Sequence, residues 1–408
     1  MTLLYSYDMP LSMHKAGQGH LIPRSSPARA KEIAHEVVDQ NTVRRRGIGL
    51  RGLDQDRASP GYTLFTPITG RGNAYLVDLH GEVVHHWSLA MPPGRHARLL
   101  PNGNLFYQGK QVDGDPLYPF WAVVHGGILA EVDAYGNVIR TALHPFHHHD
   151  ATVLSNGNLL VNAVEPLPPN TARRVRGGIP GSEAPGGVIY GDVAYEMTWD
   201  GEVIWRWAAA EHFDPEELPL DGHYPREHWP MCNSVSELHD GSIILGYRSV
   251  STVIIVDRRR GAITWRLAAP TVSQQHYPHE LQNGNILVFD NGSFREGESA
   301  PFSRVIEVDR ATQSVVWEYR DDPPQNFYSP YMSSAQRLPN GNTLIAEGSF
   351  GRIFEVTPTR EVVWEYVVPF FGQFGPEAGV PFSTGEQNAI FRAYRYAPSE
   401  VPWLVRRG

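Results

Sequence analysis

The chain has 408 residues, of which 39 are glycine and 33 proline, while charged residues make up only 19%; that balance favours strands and tight turns over long surface helices. With 35 basic and 44 acidic residues the formal net charge is −9, so a nucleic-acid backbone or an anionic membrane meets net repulsion and neither is expected as a partner. Cys232 is the only cysteine, which excludes an intrachain disulfide and fits a reducing compartment.

Residues 1 to 60 read as an N-terminal arm. The opening MTLLYSYDMPLSMHKAG has neither a basic start nor a sustained apolar run. No stretch of the chain reaches the roughly 18 apolar residues of a membrane span, so the expected location is the cytoplasm. Ser26-Pro27 is an N-cap followed by proline at the first helical position, leading into a short helix over ARAKEIAHEVV. Arg44, Arg45 and Arg46 read as a solvated turn.

From residue 61 to 408 two short patterns alternate. The first is strand, Asn-Gly or Asp-Gly, strand: ARLLPNGNLFY at 97 to 107, ATVLSNGNLLV at 151 to 161, SVSELHDGSIIL at 234 to 245, HELQNGNILVF at 279 to 289 and AQRLPNGNTLI at 335 to 345. Asn-Gly and Asp-Gly supply the positive φ of a tight hairpin. The second runs from an apolar strand through a polar turn to a strand that often ends in tryptophan, as in AYLVDLHGEVVHHW at 74 to 87 and RVIEVDRATQSVVW at 304 to 317. Together they form a four-stranded unit, A-B-C-D. Five complete units follow one C-D hairpin that has only GYTLF, 61 to 65, before it. Such a repeat marks a propeller blade, and a ring must close on itself. AIFRAYRY at 389 to 396 fits the vacancy in the first unit, which predicts an all-β, six-bladed β-propeller closed by chain-terminal strands.

Both tight turns of a blade fall at one end of the ring, so the opposite end holds the long connections: 111 to 126, 165 to 192, 207 to 230, 291 to 303 and 319 to 332. Long loops on a rigid frame carry binding residues. Counting back seven residues from the Asn or Asp of each hairpin turn gives His149, Asn233, His276 and Ser333, with Arg95 and His96 in the shorter second blade. The B strands bring Lys110, Arg248 and Asp290-Asn291 back to the same mouth. The predicted funnel is cationic and rich in donors, suited to an anionic substrate group. His144, His147 and His148 are read as structural, since local clustering without convergence is weak evidence. Trp87, Trp205, Trp265, Trp317 and Trp364 are read as blade packing. The chain has no GxxxxGK[ST], CxxC, HExxH or GxSxG, which removes the simplest phosphate-loop, zinc-ribbon, zincin and hydrolase readings.

PGYTLFTP, HHDATVLSNGNLLV, NSVSELHDGSIILGYRSVSTVIIVDRRRGAITWRL and QHYPHELQNGNILVFDNG together resemble the bacterial arylsulfotransferase family, the type that does not use the nucleotide sulfate donor. The resemblance runs from about residue 60 onward and implies a six-bladed propeller that moves a sulfuryl group between phenolic compounds through a sulfated histidine. It puts the nucleophile at His276, an acid, base or oxyanion donor at His149, and a sulfate-holding arginine at Arg248. Asn233 matches the family's HxNS element, which reads Met231-Cys232-Asn233-Ser234 here. Met231 therefore stands where the family has a histidine, an exchange worth about 100 to 1,000-fold in rate if that histidine acts as an oxyanion donor. His279 is an added histidine three residues beyond the nucleophile, and Asn233, Lys110, Asn291, His279, Met231 and His96 are the expected substrate-binding set.

On this reading the partner is a small phenol or aryl sulfate and no cofactor is needed. Two alternatives stay open. One is a lyase or oxygenase on an aromatic substrate that uses a transition metal such as iron, ligated by His96, His149, His276 and His279. The other is a non-catalytic propeller that binds a partner on its loop-rich face.

Overall fold

The computed structural model describes residues 22–23, 47–113, 115–374 and 385–405. The helix expected after Pro27 and the arginine turn at 44 to 46 lie outside the described residues.

Six antiparallel sheets form the ring, which is the six-bladed propeller predicted from the repeat. In the first blade Ile390–Tyr396 pairs with Tyr62–Pro67, followed by Asn73–Val77 and Val83–Ser88. The last strand of the ring thus fills the vacancy in the first unit, and AIFRAYRY is its A strand. The part of the arm nearest the ring contributes Gly49–Leu53, which pairs with Val362–Val367 and adds a fifth, outer strand to the sixth blade.

Two recurring side-chain contacts explain the repeat. The hairpin glycines Gly103, Gly157, Gly241, Gly284 and Gly341 have φ of 82, 86, 80, 84 and 88°, the left-handed region that the turn requires. In four of these turns an asparagine donates to a glutamate on strand C: Asn104 to Glu131 at 2.7 Å, Asn158 to Glu196 at 2.8 Å, Asn285 to Glu307 at 2.7 Å and Asn342 to Glu355 at 2.6 Å. The two tight turns at the closed end of those blades are tied together this way. Between blades, a strand-D tryptophan donates its indole N–H to a carbonyl at the next blade's C-D turn. Trp87 reaches Asp133, Trp265 reaches Arg310, Trp317 reaches Pro358, and Trp364 reaches Leu79 across the closure. In the third blade Trp207 does this, bonding Gly261 at 2.9 Å. Trp205, two residues earlier on the same strand, is partly buried against the same core, as expected of blade packing.

The cores lie between adjacent blades. One joins the third and fourth through Leu160, Trp207, Val235, Leu245 and Ile254, and another joins the sixth and first through Phe65, Tyr75, Ile353 and Trp364. Burial of these aliphatic and aromatic side chains, at about 25 cal/mol per Å² of apolar surface, is what holds a ring with no central core together. Among the described residues no helix is long and apolar enough to cross a membrane.

Candidate active site

The inner strands of four blades open with a register shift: between Pro93 and Ala97, His147 and Ala151, Cys232 and Ser234, and His276 and His279. A bulge re-aims the side chains it carries. His149 (φ 55°), Met231 (φ 66°) and Ser333 (φ 88°) hold left-handed backbone next to the axis, a conformation that costs a non-glycine residue about 1 to 3 kcal/mol and concentrates at functional sites.

These bulges open onto a cavity of about 770 Å³ at the long-loop end. His149, His276, Arg248, Met231 and Arg95 line it, with Phe120, Tyr224, Phe350, Phe374 and Phe391 among its apolar walls. The equal-offset argument therefore holds for His149 and His276, and Arg248 joins them from the end of its B strand.

His276 is 2% exposed, and its Nδ1 lies 2.7 Å from Asn291 Oδ1. The Asn291 amide orientation is fixed by its own Nδ2, which donates to the carbonyls of Ser329 and Met332 at 2.7 and 3.1 Å. Oδ1 must then accept, so His276 carries its proton on Nδ1 and its lone pair on Nε2. The Met332 amide donates to that lone pair at 3.1 Å. Burial, then the positive field of Arg248, pushes the His276 pKa well below its usual value, against the opposing bond to Asn291. The imidazole is neutral at pH 7.

His149 is likewise buried, and its Nδ1 meets His148 Nδ1 at 2.7 Å. Burial, with the fields of His148 and Arg95, holds its pKa well down. Arg95 donates to the Val123 carbonyl, and burial lowers its pKa to about 10, so it stays cationic at neutral pH. Arg248 lies with its guanidinium 5.3 Å from the Tyr224 ring, and its buried Nε–H has no acceptor. Among the described residues neither arginine has a carboxylate within ion-pair distance. Arg95 and Arg248 thus bring two guanidinium groups without a carboxylate partner among the described residues to an aromatic-walled cavity.

The other expected residues sit elsewhere. Met231 is on the wall, but Asn233 is fully buried behind it. The Cys232/Ser234 shift turns the Asn233 amide into the sheet, where Nδ2 donates to the Gln275 carbonyl at 2.8 Å and Oδ1 accepts from Ser234. Asn291 acts on His276 rather than on the cavity. Lys110 faces a separate space of about 210 Å³, donates to the Ala122 carbonyl, and has its pKa pushed down to about 7 by burial and by Arg95. His279 bonds the Tyr277 carbonyl at 3.2 Å outside the cavity.

His96 belongs to a buried cluster, 2.9 Å from Asp150, whose other oxygen takes Arg392 at 2.7 Å and the Val235 amide at 2.9 Å. Burial opposes the charge on Asp150, but Arg392 and His96 overcome it and hold the carboxyl well below the usual range. This cluster joins the first four blades. His96, His149, His276 and His279 are thus divided among different surroundings and do not converge as a ligand set. The group of three potential ligands that does converge among the described residues is His148, Asp192 and His228. Sequence reasoning missed Asp192 and His228 as site residues, and also Glu227, whose carboxyl lies on the cavity wall with its pKa raised by burial. No repeat offset marks these positions. Phe391 was legible only as part of the closing strand.

Fold and cavity together define a six-bladed propeller with an aromatic-walled cavity at its loop end, into which two histidines and two arginines face. The family model described as Arylsulfotransferase (ASST) matches residues 118–369, more than half of the chain, and the chain belongs to that family. No curated protein matches it. Solved structures are similar at low identity: a protein of unknown function from Bacteroides caccae (12% identity, TM-score 0.47, covering 76% of this chain and 94% of that one), a streptogramin B lyase (12%, 0.42, 78% and 82%) and the β-propeller domain of Cps50 (Swd1) from Myceliophteria thermophila (9%, 0.44, 80% and 88%). None of these likenesses bears on activity.

Proposed function

We propose that this protein transfers a sulfuryl group between phenolic compounds through a sulfated His276. The observation that carries the reading is the tautomer of His276: with Nδ1–H held by Asn291, the neutral ring has its nucleophilic lone pair on Nε2, in a cavity shared with two arginines that have no carboxylate partner among the described residues. An aryl sulfate enters with its ring against Phe120, Phe374 and Phe391 and its sulfate toward Arg95 and Arg248. Nε2 attacks sulfur as the Met332 amide lets go, an N–S bond forms, and the S–O(aryl) bond breaks. The phenolate leaves with its electron pair and takes a proton from solvent, while neutral His149 lines the same cavity and can offer it an N–H hydrogen bond. An acceptor phenol then attacks sulfur, losing its proton, and the N–S bond breaks to return neutral His276. The arginines stabilise charge on the sulfuryl oxygens in both steps.

The test is intact-mass measurement after brief exposure to 4-nitrophenyl sulfate. Wild type is expected to gain one sulfuryl group with a burst of 4-nitrophenol, and His276→Ala to gain none. A full burst in folded His276→Ala would overturn the assignment of the nucleophile, and no adduct or turnover in wild type with a range of aryl sulfates would overturn the reaction class.

A further inference from the structure

Behind His149, one layer away from the cavity, three side chains from distant parts of the third blade's sequence meet. His148 comes from the inner strand His147–Val153 and Asp192 from Tyr190–Met197, while His228 lies in the two-residue strand His228–Trp229, which pairs in parallel with Tyr190 and Gly191. Their exposures are 0, 2 and 0%. His148 Nε2 and His228 Nε2 approach the same oxygen, Asp192 Oδ1, at 3.1 and 2.9 Å, and all three donor atoms lie within 4.8 Å of one another.

Hydrogen bonding alone leaves this cluster incomplete. His148 Nε2, although close to Oδ1, has no partner in hydrogen-bonding alignment, and Asp192 Oδ2 is buried with no donor. Two orphaned polar atoms in one dry cluster cost about 1 to 3 kcal/mol each unless something else satisfies them. We propose that His148, Asp192 and His228 bind a divalent cation of the zinc type, a site separate from the sulfuryl chemistry and from the channel histidines. Two imidazole nitrogens and one carboxylate oxygen supply three protein donors, the number of a zinc site whose fourth position is taken by water. With metal-ligand distances of about 2.0 to 2.1 Å, tetrahedral donors stand about 3.3 Å apart, close to the two nitrogen-to-carboxylate separations of 3.1 and 2.9 Å already present.

The surroundings of the ligands match. A histidine that ligates through Nε2 turns its Nδ1–H to an acceptor. His228 Nδ1 lies 3.0 Å from the Tyr118 hydroxyl, and His148 Nδ1 lies 2.7 Å from His149 Nδ1. The ion would also cross-link the inner strand of the blade to the loop that carries Glu227 on the cavity wall.

Protein purified without an affinity tag is stripped with a chelator, then loaded with zinc chloride or cobalt(II) chloride alone and desalted. Wild type is expected to keep about one ion per chain, and cobalt to give the visible bands of tetrahedral coordination. His228→Ala and Asp192→Asn should lose the ion. Because those variants remove buried groups, Tyr118→Phe serves as the second probe: it keeps all three ligands and should weaken zinc binding about 10 to 100-fold. Wild type that keeps less than a tenth of an equivalent, or folded His228→Ala and Asp192→Asn that keep as much as wild type, would overturn the site. So would unchanged affinity in Tyr118→Phe if the ligand variants do not fold.

Discussion

Replacing Arg248 by methionine separates the receptor from the scaffold. Arg248 has no carboxylate partner among the described residues, and its Nε–H donates to nothing. Methionine keeps most of the aliphatic stem beside Tyr224, so the change should move stability by no more than about 1 kcal/mol. Loss of a charged donor aimed at oxygens that gain charge in the transition state removes about 2.7 to 4 kcal/mol, a fall of 100 to 1,000-fold in kcat/KM. Arg392→Met is the matched control. Arg392 is 2% exposed and holds Asp150 at 2.7 Å, and breaking such a buried pair costs about 3 to 5 kcal/mol because the remaining charge is stranded. The two variants should therefore separate in opposite directions: Arg248→Met inactive and stable, Arg392→Met destabilised. The assay pairs initial rates of 4-nitrophenol release, with a phenol acceptor present, with urea unfolding followed by tryptophan fluorescence. Activity of Arg248→Met within about threefold of wild type would refute the reasoning, as would destabilisation equal to that of Arg392→Met.

Met231 lies on the cavity wall where the family pattern has histidine, so Met231→His should raise kcat/KM by about tenfold or more; a fall in a variant of unchanged stability would count against an oxyanion role for that position. His96 is buried, and desolvation, then Arg392, lowers its pKa to about 4 against the bond to Asp150. The unfolded chain therefore takes up a proton at this residue first. Its contribution to stability is complete above about pH 6.5 and falls by about 1.4 kcal/mol per pH unit between there and pH 4. Urea midpoints across that window should show this slope weakened in His96→Gln, and an unchanged slope would contradict the burial assignment. The His276 pKa lies well below its usual value, so the rate of adduct formation should be flat from pH 6 to 8; a fall centred near 6.5 would mean that the ring is solvated.

What the sequence made legible was what repeats. Asn-Gly turns fix strand order, a missing strand in the first unit identifies Ile390–Tyr396 as its complement, and equal offsets bring His149 and His276 to one cavity. The same counting fails at Asn233, because a register shift of one residue turns a side chain from the channel into the sheet. It also fails for His96, since whether the ring faces the channel or a buried carboxylate depends on Arg392, almost 300 residues away. His228 and Asp192 were not legible at all. Their meeting depends on a two-residue parallel pairing between a long loop and strand C, and no local pattern encodes it.

The closing strand has a consequence for how the molecule comes into being. Tyr62 pairs with Tyr396, so a ribosome working at about 5 to 20 residues per second completes the first blade many seconds after making its other three strands. Until then the edge of Tyr62–Pro67 is open to strangers, a hazard for any strand left waiting. The late segment also carries Phe391, which walls the cavity, and Arg392, which seats on Asp150. Closure of the ring and completion of the cavity are thus a single event in the life of the chain, and a nascent propeller that has not yet received this strand lacks part of the wall against which a ring would bind.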